Sequence, residues 1–310
     1  MKFYLAPMEG ITGYIQRRAY HKHFGNVDRY FTPFIPAAKR MSKKIIRDIS
    51  PENNPGMDVV PQIMSNKADE VIDLGNQLKA YGYDSLNINL GCPSGTVVSK
   101  KRGSGFLTMP EELDQFLYDV YDQTDMKVSI KTRIGFENEE EWEPLVDIYK
   151  KYPIDELIIH PRVRKDFYHG VPRLEAFDLA VKEIPVSLCY NGDITSVSSY
   201  EEIATRYPTI NKVMIGRGLL AHPNLIGDIK GESPMTKDTL RAYHDTLLAN
   251  YEEMLCGERD PLFRMKEVWS YMRDSFEESD KHWKKIKKCM HMDEYHLIID
   301  SMFRDLELKI

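Results

Sequence analysis

Residues 87–94 read Asn87-Ile-Asn-Leu-Gly-Cys-Pro-Ser94, an alternation of polar and apolar residues that stops at a Gly-Cys-Pro turn. A period of two is typical of a β-strand with one face against a core. Glycine and proline then end the strand. The pattern therefore predicts that the thiol of Cys92 lies just beyond the end of a strand, at the mouth of the fold.

Seven further β-rich runs accompany this one, and helix-like segments separate most of them. The eight runs are 3–7, 29–35, 58–63, 85–90, 127–132, 156–160, 185–190 and 212–216. The clearest helical segment is 110–122, because Pro110 suits a first helical position and apolar residues follow with helical periodicity. Segments 67–80 and 197–206 carry similar apolar faces.

Eight strands alternating with helices predict an α/β fold of the (β/α)8 TIM-barrel type. A doubly wound open sheet is the main alternative. The barrel is favoured because polar residues and glycines cluster directly after the strands, where barrel enzymes build their active sites.

The end of the chain has a different character. Residues 228–237 are polar and contain Gly and Pro, which is typical of a linker. Beyond them no strand-like run appears, and apolar residues recur at helical spacing in four segments: 238–256, 261–276, 281–290 and 293–306. We therefore expect two domains, a barrel over 1–232 and a C-terminal all-α helical bundle over 236–310.

The bulk composition is that of a globular protein, with 310 residues, 42% hydrophobic residues and a formal net charge of −6. No apolar run approaches the ~20 residues that span a bilayer. No room for a signal peptide precedes the first strand, so we expect a soluble cytoplasmic protein with no membrane contact. The cysteines, at 92, 189, 256 and 289, are far apart. This spacing favours reduced thiols over a disulfide framework, and no metal site is assigned.

Residues that could carry chemistry cluster at the strand ends. They are Pro7, Met8 and Glu9 after strand 1, Gln62 in strand 3, Lys131 in strand 5, His160 in strand 6, Asn191, Gly192 and Asp193 after strand 7, and Gly216 and Arg217 after strand 8. Each is weak evidence alone, since a strand-end lysine often pairs with a carboxylate and Asn-Gly-Asp is often only a turn.

The combination is more specific, because barrels often bind phosphate after strands 7 and 8. Glycines there let backbone N–H groups approach phosphate oxygens, and a guanidinium adds a bidentate contact. Lys131 would place positive charge beside a reduced cofactor ring. This set predicts flavin mononucleotide (FMN). The chain contains no Gly-x-Gly-x-x-Gly, so a Rossmann dinucleotide site is not supported.

Cys92 then faces the cofactor from the loop after strand 4. From these residues alone, three interpretations of the Cys92 thiol remain open: a nucleophile, a general acid or a buried packing residue. An acid must be protonated at neutral pH, and an unperturbed thiol with a pKa near ~8.5 meets that condition.

Seven collinear motifs carry a resemblance to a known family. They are Ala6-Pro-Met-Glu-Gly10, Asn89-Leu-Gly-Cys-Pro-Ser94, Gly103-Ser-Gly105, Lys131-Thr-Arg-Ile-Gly135, Ile159-His-Pro-Arg162, Asn191-Gly-Asp-Ile194 and Met214-Ile-Gly-Arg-Gly218. Their order and spacing resemble those of the bacterial-type, FMN-dependent tRNA-dihydrouridine synthases. Two departures are Pro161, where the family usually has glycine, and Gly13, where aspartate is common.

The resemblance implies an FMN-binding catalytic barrel and a helical domain that helps to hold tRNA. It implies hydride transfer from reduced FMN to C6 of a uracil, protonation of C5 by Cys92, and reduction of the flavin by NADPH. The strand-end residues named above would line the FMN, and Asn87 and Arg162 would lie near the uracil or the flavin ring. The target uridine must leave its stack to reach the flavin, so base flipping is expected.

Binding of RNA requires a local positive surface on this acidic chain. Residues 235–310 hold 13 Lys and Arg against 16 Asp and Glu, so the tail is not basic overall. Candidate patches are residues 281–288, the group Lys39, Arg40, Lys43 and Lys44, and the group Lys100, Lys101 and Arg102 after the cysteine loop. For each single charge, plain solvation is the competing interpretation.

Two other functions compete with tRNA reduction. One is an FMN barrel that acts on a small molecule such as a free pyrimidine or an enone. The other is a non-catalytic tRNA-binding module on the same scaffold. The helical tail and the basic run 100–102 favour RNA as the substrate, and the intact thiol and phosphate motifs favour catalysis. A monomer is the expected state.

Overall fold

The computed structural model describes residues 1–309. Ten short parallel strands, β1 to β10, build its sheet. They are Lys2–Leu5, Arg29–Phe31, Ile35–Pro36, Val59–Val60, Gln62–Met64, Ser85–Leu90, Lys127–Arg133, Leu157–His160, Leu188–Tyr190 and Lys212–Ile215.

β2 and β3 are the two halves of one interrupted strand, and β4 and β5 are the two halves of another. β2 pairs with β4 and β3 pairs with β5, in the same order along the chain. Pro33 and Pro61 separate the halves, since proline has no N–H to donate to a sheet ladder. The Thr32 hydroxyl spans the gap by accepting the N–H of Gln62 at 3.0 Å. The predicted runs 29–35 and 58–63 are thus each one broken strand.

The eight strands close into a barrel. β1 pairs with β10 on one side and with β2 on the other, and the sequential pairing of β5 through β10 completes the circuit. The predicted (β/α)8 TIM barrel is therefore confirmed, and the open-sheet alternative is wrong.

Fourteen helices, α1 to α14, occur within residues 1–309, together with short 3-10 turns. The helices are Tyr14–His23, Lys43–Ile49, Ala68–Lys79, Gly95–Val98, Pro110–Gln123, Trp142–Tyr149, Leu174–Glu183, Val197–Arg206, Arg217–Ala221, Leu225–Ile229, Lys237–Met254, Arg259–Met272, Asp280–Lys288 and Met292–Asp305. The 3-10 turns are Pro51–Asn53, Gly103–Thr108, Glu139–Glu141, Arg164–Asp166 and Arg273–Ser275. The predicted helices 67–80, 110–122 and 197–206 correspond to α3, α5 and α8.

The interior of the barrel has an apolar part and a polar part. Side chains alternate along each strand, so every second residue points inward. Inward apolar residues form one cluster: Tyr4, Ala6, Phe31, Val60, Ile158, Cys189 and Met214. The corresponding positions of β5, β6 and β7 are polar: Gln62, Asn87, Asn89, Ser129 and Lys131. Polar groups are costly to bury without partners, so this side of the barrel calls for a polar ligand or a hydrogen-bond network.

The helical tail packs against the barrel's outer layer, and one apolar core runs through both. Tyr243 of α11 lies edge-on to Tyr20 of α1, with ring centroids 6.4 Å apart. Arg264 of α12 donates to the carbonyl of Gly10 at 3.1 Å, which ties the tail to the loop after β1. The part of the predicted linker before residue 230 is helical, because α10 extends to Ile229.

No helix within residues 1–309 is long and apolar enough to cross a bilayer.

Candidate active site

One cavity of about 400 Å³ opens at the carboxyl ends of the strands. All twelve residues assigned to catalysis and cofactor binding from the sequence line it: Pro7, Met8, Glu9, Gln62, Cys92, Lys131, His160, Asn191, Gly192, Asp193, Gly216 and Arg217. They come from seven separate segments of the chain. The barrel therefore gathers them at the position where this fold places its active sites.

Hydrogen bonds fix the backbone that carries Cys92. The side-chain oxygen of Asn89 accepts the N–H groups of Gly91 at 3.1 Å and Cys92 at 2.9 Å. The Cys92 carbonyl accepts the Ser104 hydroxyl at 2.7 Å. Gly103 adopts φ +56°, and a Cβ there would lie 3.0 Å from the Cys92 carbonyl oxygen. The Gly103-Ser-Gly105 motif thus supports the cysteine loop from behind.

The Cys92 thiol is half-buried at the cavity wall. Burial raises the pKa of this thiol above its ordinary value, and the neighbouring Arg133 and Lys131 cations offset only part of that effect. A raised pKa keeps the sulfur protonated at neutral pH. The group is therefore suited to give a proton and poorly suited to act as a thiolate nucleophile.

Alkylation can test this protonation state, because only the thiolate reacts with iodoacetamide. In a Cys256→Ala background, which removes the exposed cysteine, the Cys92 alkylation rate should rise with a midpoint above the ~8.5 of a free thiol. Mass spectrometry of the Cys92 peptide at each pH measures the rate, with glutathione as the reference. A midpoint at or below that of glutathione would contradict a thiol held neutral by burial.

Lys131 extends its ammonium group to the same cavity and forms no ion pair within residues 1–309. Burial lowers its pKa to about 8, and repulsion from Arg133 adds to the effect. A ligand that carries negative charge or carbonyl oxygens would stabilise an ammonium group that has no partner in such a closed polar site.

An amide chain supports the polar wall below Lys131. Asn89 donates to the Gln62 side-chain oxygen at 2.7 Å, and the Gln62 amide donates to Asn87 at 2.8 Å. Asn87 in turn donates to the Ser129 hydroxyl at 2.9 Å. Asn87 is completely buried beneath the cavity and does not line it. Its side chain fixes the orientation of Gln62, while Asn89 reaches the cavity.

His160 faces the cavity beside the ring of Tyr168. Burial lowers the pKa of this histidine well below its ordinary value, and the surrounding arginines and Lys131 lower it further. The imidazole is therefore neutral at physiological pH. The two rings are stacked with centroids 6.2 Å apart. Arg133 and Arg217 lie over the Tyr168 ring, 5.4 and 4.6 Å from its centroid.

Asp193 joins two arginines at the far end of the cavity. It accepts from Arg162 at 2.9 Å and from Arg217 at 2.7 Å. Burial alone would raise the pKa of Asp193, but hydrogen bonds and attraction from the two guanidinium groups bring it below the ordinary value. Arg162 also donates to the carbonyls of His169 and Gly170. Its completely buried guanidinium thus fixes the loop after β8 and does not line the cavity.

The loops after β9 and β10 approach each other closely. A Cβ on Gly218 would lie 2.2 Å from the Ile194 carbonyl oxygen, so only glycine fits there. Within residues 1–309, the backbone N–H groups of Gly192 and Gly216 have no hydrogen-bond acceptor. Both border the cavity, where such groups fit the oxygens of a phosphate. The donor set therefore fits a phosphate at this end and a polar ring system beside Lys131, as FMN would require.

The basic run after the cysteine loop lies outside the cavity. Lys100 and Lys101 are exposed, and neither forms an ion pair with another described residue. Arg102 differs, because it bonds Glu70 of α3 at 3.0 Å and thereby fixes the loop. Two of the three predicted RNA contacts are thus free to meet a phosphate.

The sequence interpretation gave no role to several residues that line the cavity: Phe34, Asn89, Arg133, Tyr168 and Tyr271. For Asn89 a signal existed, since Asn87 and Asn89 share one face of β6 and the later residue lies closer to the rim. Tyr168 and Tyr271 had no such signal, because each lies in a loop or helix that folds over the cavity from elsewhere in the chain.

The fold and the site define a (β/α)8 barrel protein with a polar cavity at the carboxyl ends of its strands, the arrangement of barrel enzymes. The family model described as "Dihydrouridine synthase (Dus)" matches residues 4–305. The chain belongs to the dihydrouridine synthase family, which confirms the resemblance carried by the seven motifs.

Individual relatives agree with the family match. A "Probable tRNA-dihydrouridine synthase" of Staphylococcus aureus is 28% identical over 233 residues, which cover 71% of this chain and 69% of the relative. The "tRNA-dihydrouridine synthase B" of Pasteurella multocida is 28% identical over 241 residues, covering 77% and 71%.

Solved structures share the fold at low sequence identity. "Morphinone reductase" aligns with a TM-score of 0.55 at 11% identity and covers 78% of this chain and 88% of its own. The old yellow enzyme homologue from Zymomonas mobilis aligns with a TM-score of 0.52 at 11% identity, covering 78% and 92%. At these identities the match supports the barrel architecture alone.

Proposed function

We propose that the protein is a tRNA-dihydrouridine synthase that reduces the C5–C6 double bond of specific uridines in the D-loop of tRNA, with FMN as cofactor and NADPH as reductant. The observation that carries the proposal is the juxtaposition of a neutral thiol, Cys92, with the ammonium group of Lys131 in one cavity. Family membership adds the substrate class.

We assign cofactor binding to the residues of the cavity. The N–H groups of Gly192 and Gly216 would receive the phosphate of FMN, together with the guanidinium of Arg217. Lys131 and Gln62 would contact the ring system, since both present donors at the polar wall. Asn191 donates to the Met214 carbonyl at 2.8 Å and so holds the two phosphate loops together.

The chain's own residues supply the acid and the electrostatics. When bound and reduced, FMN supplies the hydride that adds to C6 of the uracil. Cys92 then donates its thiol proton to C5, which completes the addition of two hydrogens, and solvent returns a proton to the sulfur. The Lys131 ammonium stabilises negative charge that develops in the cavity, because charges interact strongly where water is excluded.

We also propose a division of labour along the chain. Residues 1–232 would form the FMN-binding catalytic domain and residues 236–310 the tRNA-binding domain, of which residue 310 lies outside the described residues. A soluble cytoplasmic monomer fits this function, because tRNA is a soluble substrate and one chain contains the whole cavity.

The direct test uses purified protein, NADPH and tRNA from a strain that lacks this gene. We expect a yellow protein that releases FMN on denaturation and forms dihydrouridine in that tRNA, at positions that sequencing of the product would map. Free uracil and uridine monophosphate serve as controls. Comparable turnover of free uracil would favour a small-molecule reductase, and a colourless protein that binds tRNA would favour a non-catalytic module.

A further inference from the structure

A second cavity, of about 500 Å³, adjoins the reaction cavity. The two share a wall made by Glu9, Ile11 and Phe34. The loop after β1, the start of α1, the break between β2 and β3, helix α2, the end of α11 and Arg264 of α12 enclose the second cavity. Its volume lies within the range of small-ligand sites.

Its lining is mainly apolar with a few charged groups at the rim. Apolar surface comes from Ile11, Pro33, Phe34, Pro36, Ile45, Met254 and Leu255. The carboxylate of Asp48 is already bound to Arg17 at 3.3 Å and to the N–H of Tyr14 at 2.6 Å. An apolar pocket with an aromatic wall and few polar groups suits a flat, largely uncharged ring such as a nucleobase.

Cations border the pocket and continue beyond it. Lys44 and Arg47 of α2 line the cavity, and Lys39, Arg40 and Lys43 extend the row along the surface. All five are exposed, and no carboxylate within residues 1–309 forms an ion pair with any of them. Such a row of unpaired like charges repels itself and is stabilised by a bound polyanion.

We propose that the second cavity binds the base of the nucleotide next to the target uridine in the RNA strand, with the adjoining phosphates on Lys44 and Arg47. This inference rests on the proposed function and specifies how its site recognises RNA. A neighbouring base is only one sugar-phosphate link away, and the two cavities adjoin across the wall of Glu9, Ile11 and Phe34. The cationic row continues past the pocket, which favours a polynucleotide over a nicotinamide dinucleotide.

The test combines a modified substrate with a filled cavity. The substrate is an RNA in which the wild-type enzyme forms dihydrouridine, with an abasic ribose placed on either side of the target uridine. Removing the base on one side should lower kcat/KM about 10-fold, the size of one lost base–aromatic contact. Ile45→Trp, which fills the cavity, should lower kcat/KM for the intact RNA to the same level and leave the abasic RNA unaffected. Ile46→Trp, on the same helix outside the cavity lining, is the matched control.

A second variant guards against misfolding of the first. Lys44→Ala/Arg47→Ala changes only exposed side chains and should lower kcat/KM for the RNA about 10-fold at low salt and less at high salt. Lys127→Ala/Lys182→Ala, exposed cations elsewhere on the barrel, is its control. The rate of flavin reduction by NADPH without RNA should be unchanged in every variant.

Each contrary result has a distinct meaning. Equal kcat/KM of the wild-type enzyme on intact and abasic RNA overturns the second base site. So does an Ile45→Trp enzyme whose kcat/KM falls equally on intact and abasic RNA. A raised KM for NADPH in Lys44→Ala/Arg47→Ala overturns it in favour of a site for the reductant. If the wild-type enzyme reduces no RNA but reduces its flavin, the proposed function itself fails.

Discussion

Replacement of Cys92 by alanine should lower the rate of dihydrouridine formation about 10²–10⁴-fold, the usual contribution of a positioned general acid. The thiol lines the same cavity as Lys131 and Gln62, and burial holds its pKa above the ordinary value, so its proton is present at neutral pH. Single-turnover assays with pre-reduced enzyme isolate this step. FMN content and the rate of flavin reduction by NADPH should stay unchanged.

Two further substitutions make the result specific. Cys256→Ala removes an exposed thiol outside the cavity and should leave the rate unchanged. Cys92→Ser puts a hydroxyl of similar size in place of the thiol. Because a hydroxyl is a much weaker acid, the rate of the Cys92→Ser enzyme should remain close to that of Cys92→Ala. A Cys92→Ala enzyme with wild-type single-turnover rates would show that another group protonates C5.

Asp193→Ala should lower the free energy of unfolding by about 3 kcal/mol, because it leaves the buried Arg162 guanidinium without its carboxylate. This value is at the lower end of the range for broken buried pairs, since Asp193 itself is partly exposed. The same change frees Arg217 and the loop after β8, so FMN affinity should also fall. Urea unfolding and flavin titration measure the two effects.

The pH dependence of this contribution has a definite sign. The pKa of Asp193 is lowered in the folded protein, so the stabilisation is present above the pKa of the unfolded carboxyl and is lost as pH falls through the folded value. The difference in stability between wild type and Asp193→Ala should therefore shrink in acid. A difference that stays constant from neutral pH down to strongly acidic pH would contradict an ion-pair origin.

Asp178→Ala is the matched control. Asp178 also bonds an arginine, Arg206, but both partners are exposed. An exposed pair contributes about 0–1 kcal/mol, so this variant should unfold close to the wild type and bind FMN normally. Equal destabilisation by the two substitutions would show that burial of Arg162 does not set the cost.

Local sequence patterns predicted most elements of this fold. The β-rich runs located all eight strands, because strand-forming residues and the turn residues that bound them lie in each strand's own segment. They did not show that two strands break at Pro33 and Pro61, since the flanking halves keep the same pairing across each break. The sequence also placed Cys92, Lys131 and Gly216 at strand ends. Since parallel strands bring their carboxyl ends to one face of the barrel, these positions predicted that the three residues lie together.

Other features depend on contacts between distant segments. Arg162 and Asp193 lie 31 positions apart, and nothing near either one indicates their pairing. Asn89 lies closer to the carboxyl end of β6 than Asn87, but the depth at which the cavity ends, between these two residues, depends on strand tilt and register. Tyr168 joins the site because Arg133 and Arg162, from other segments, bond the carbonyls of Phe167 and Gly170 on either side of it and so hold its loop beside His160.

The sequence by itself determined the barrel, the helical tail, the family and twelve of the residues that line the first cavity, since all of these follow from local patterns and short motifs. The tertiary structure alone decided the upward shift of the Cys92 pKa, the partners of Arg162 and the presence of the second cavity. Burial and cross-chain distance set those properties, and neither is a property of any single segment.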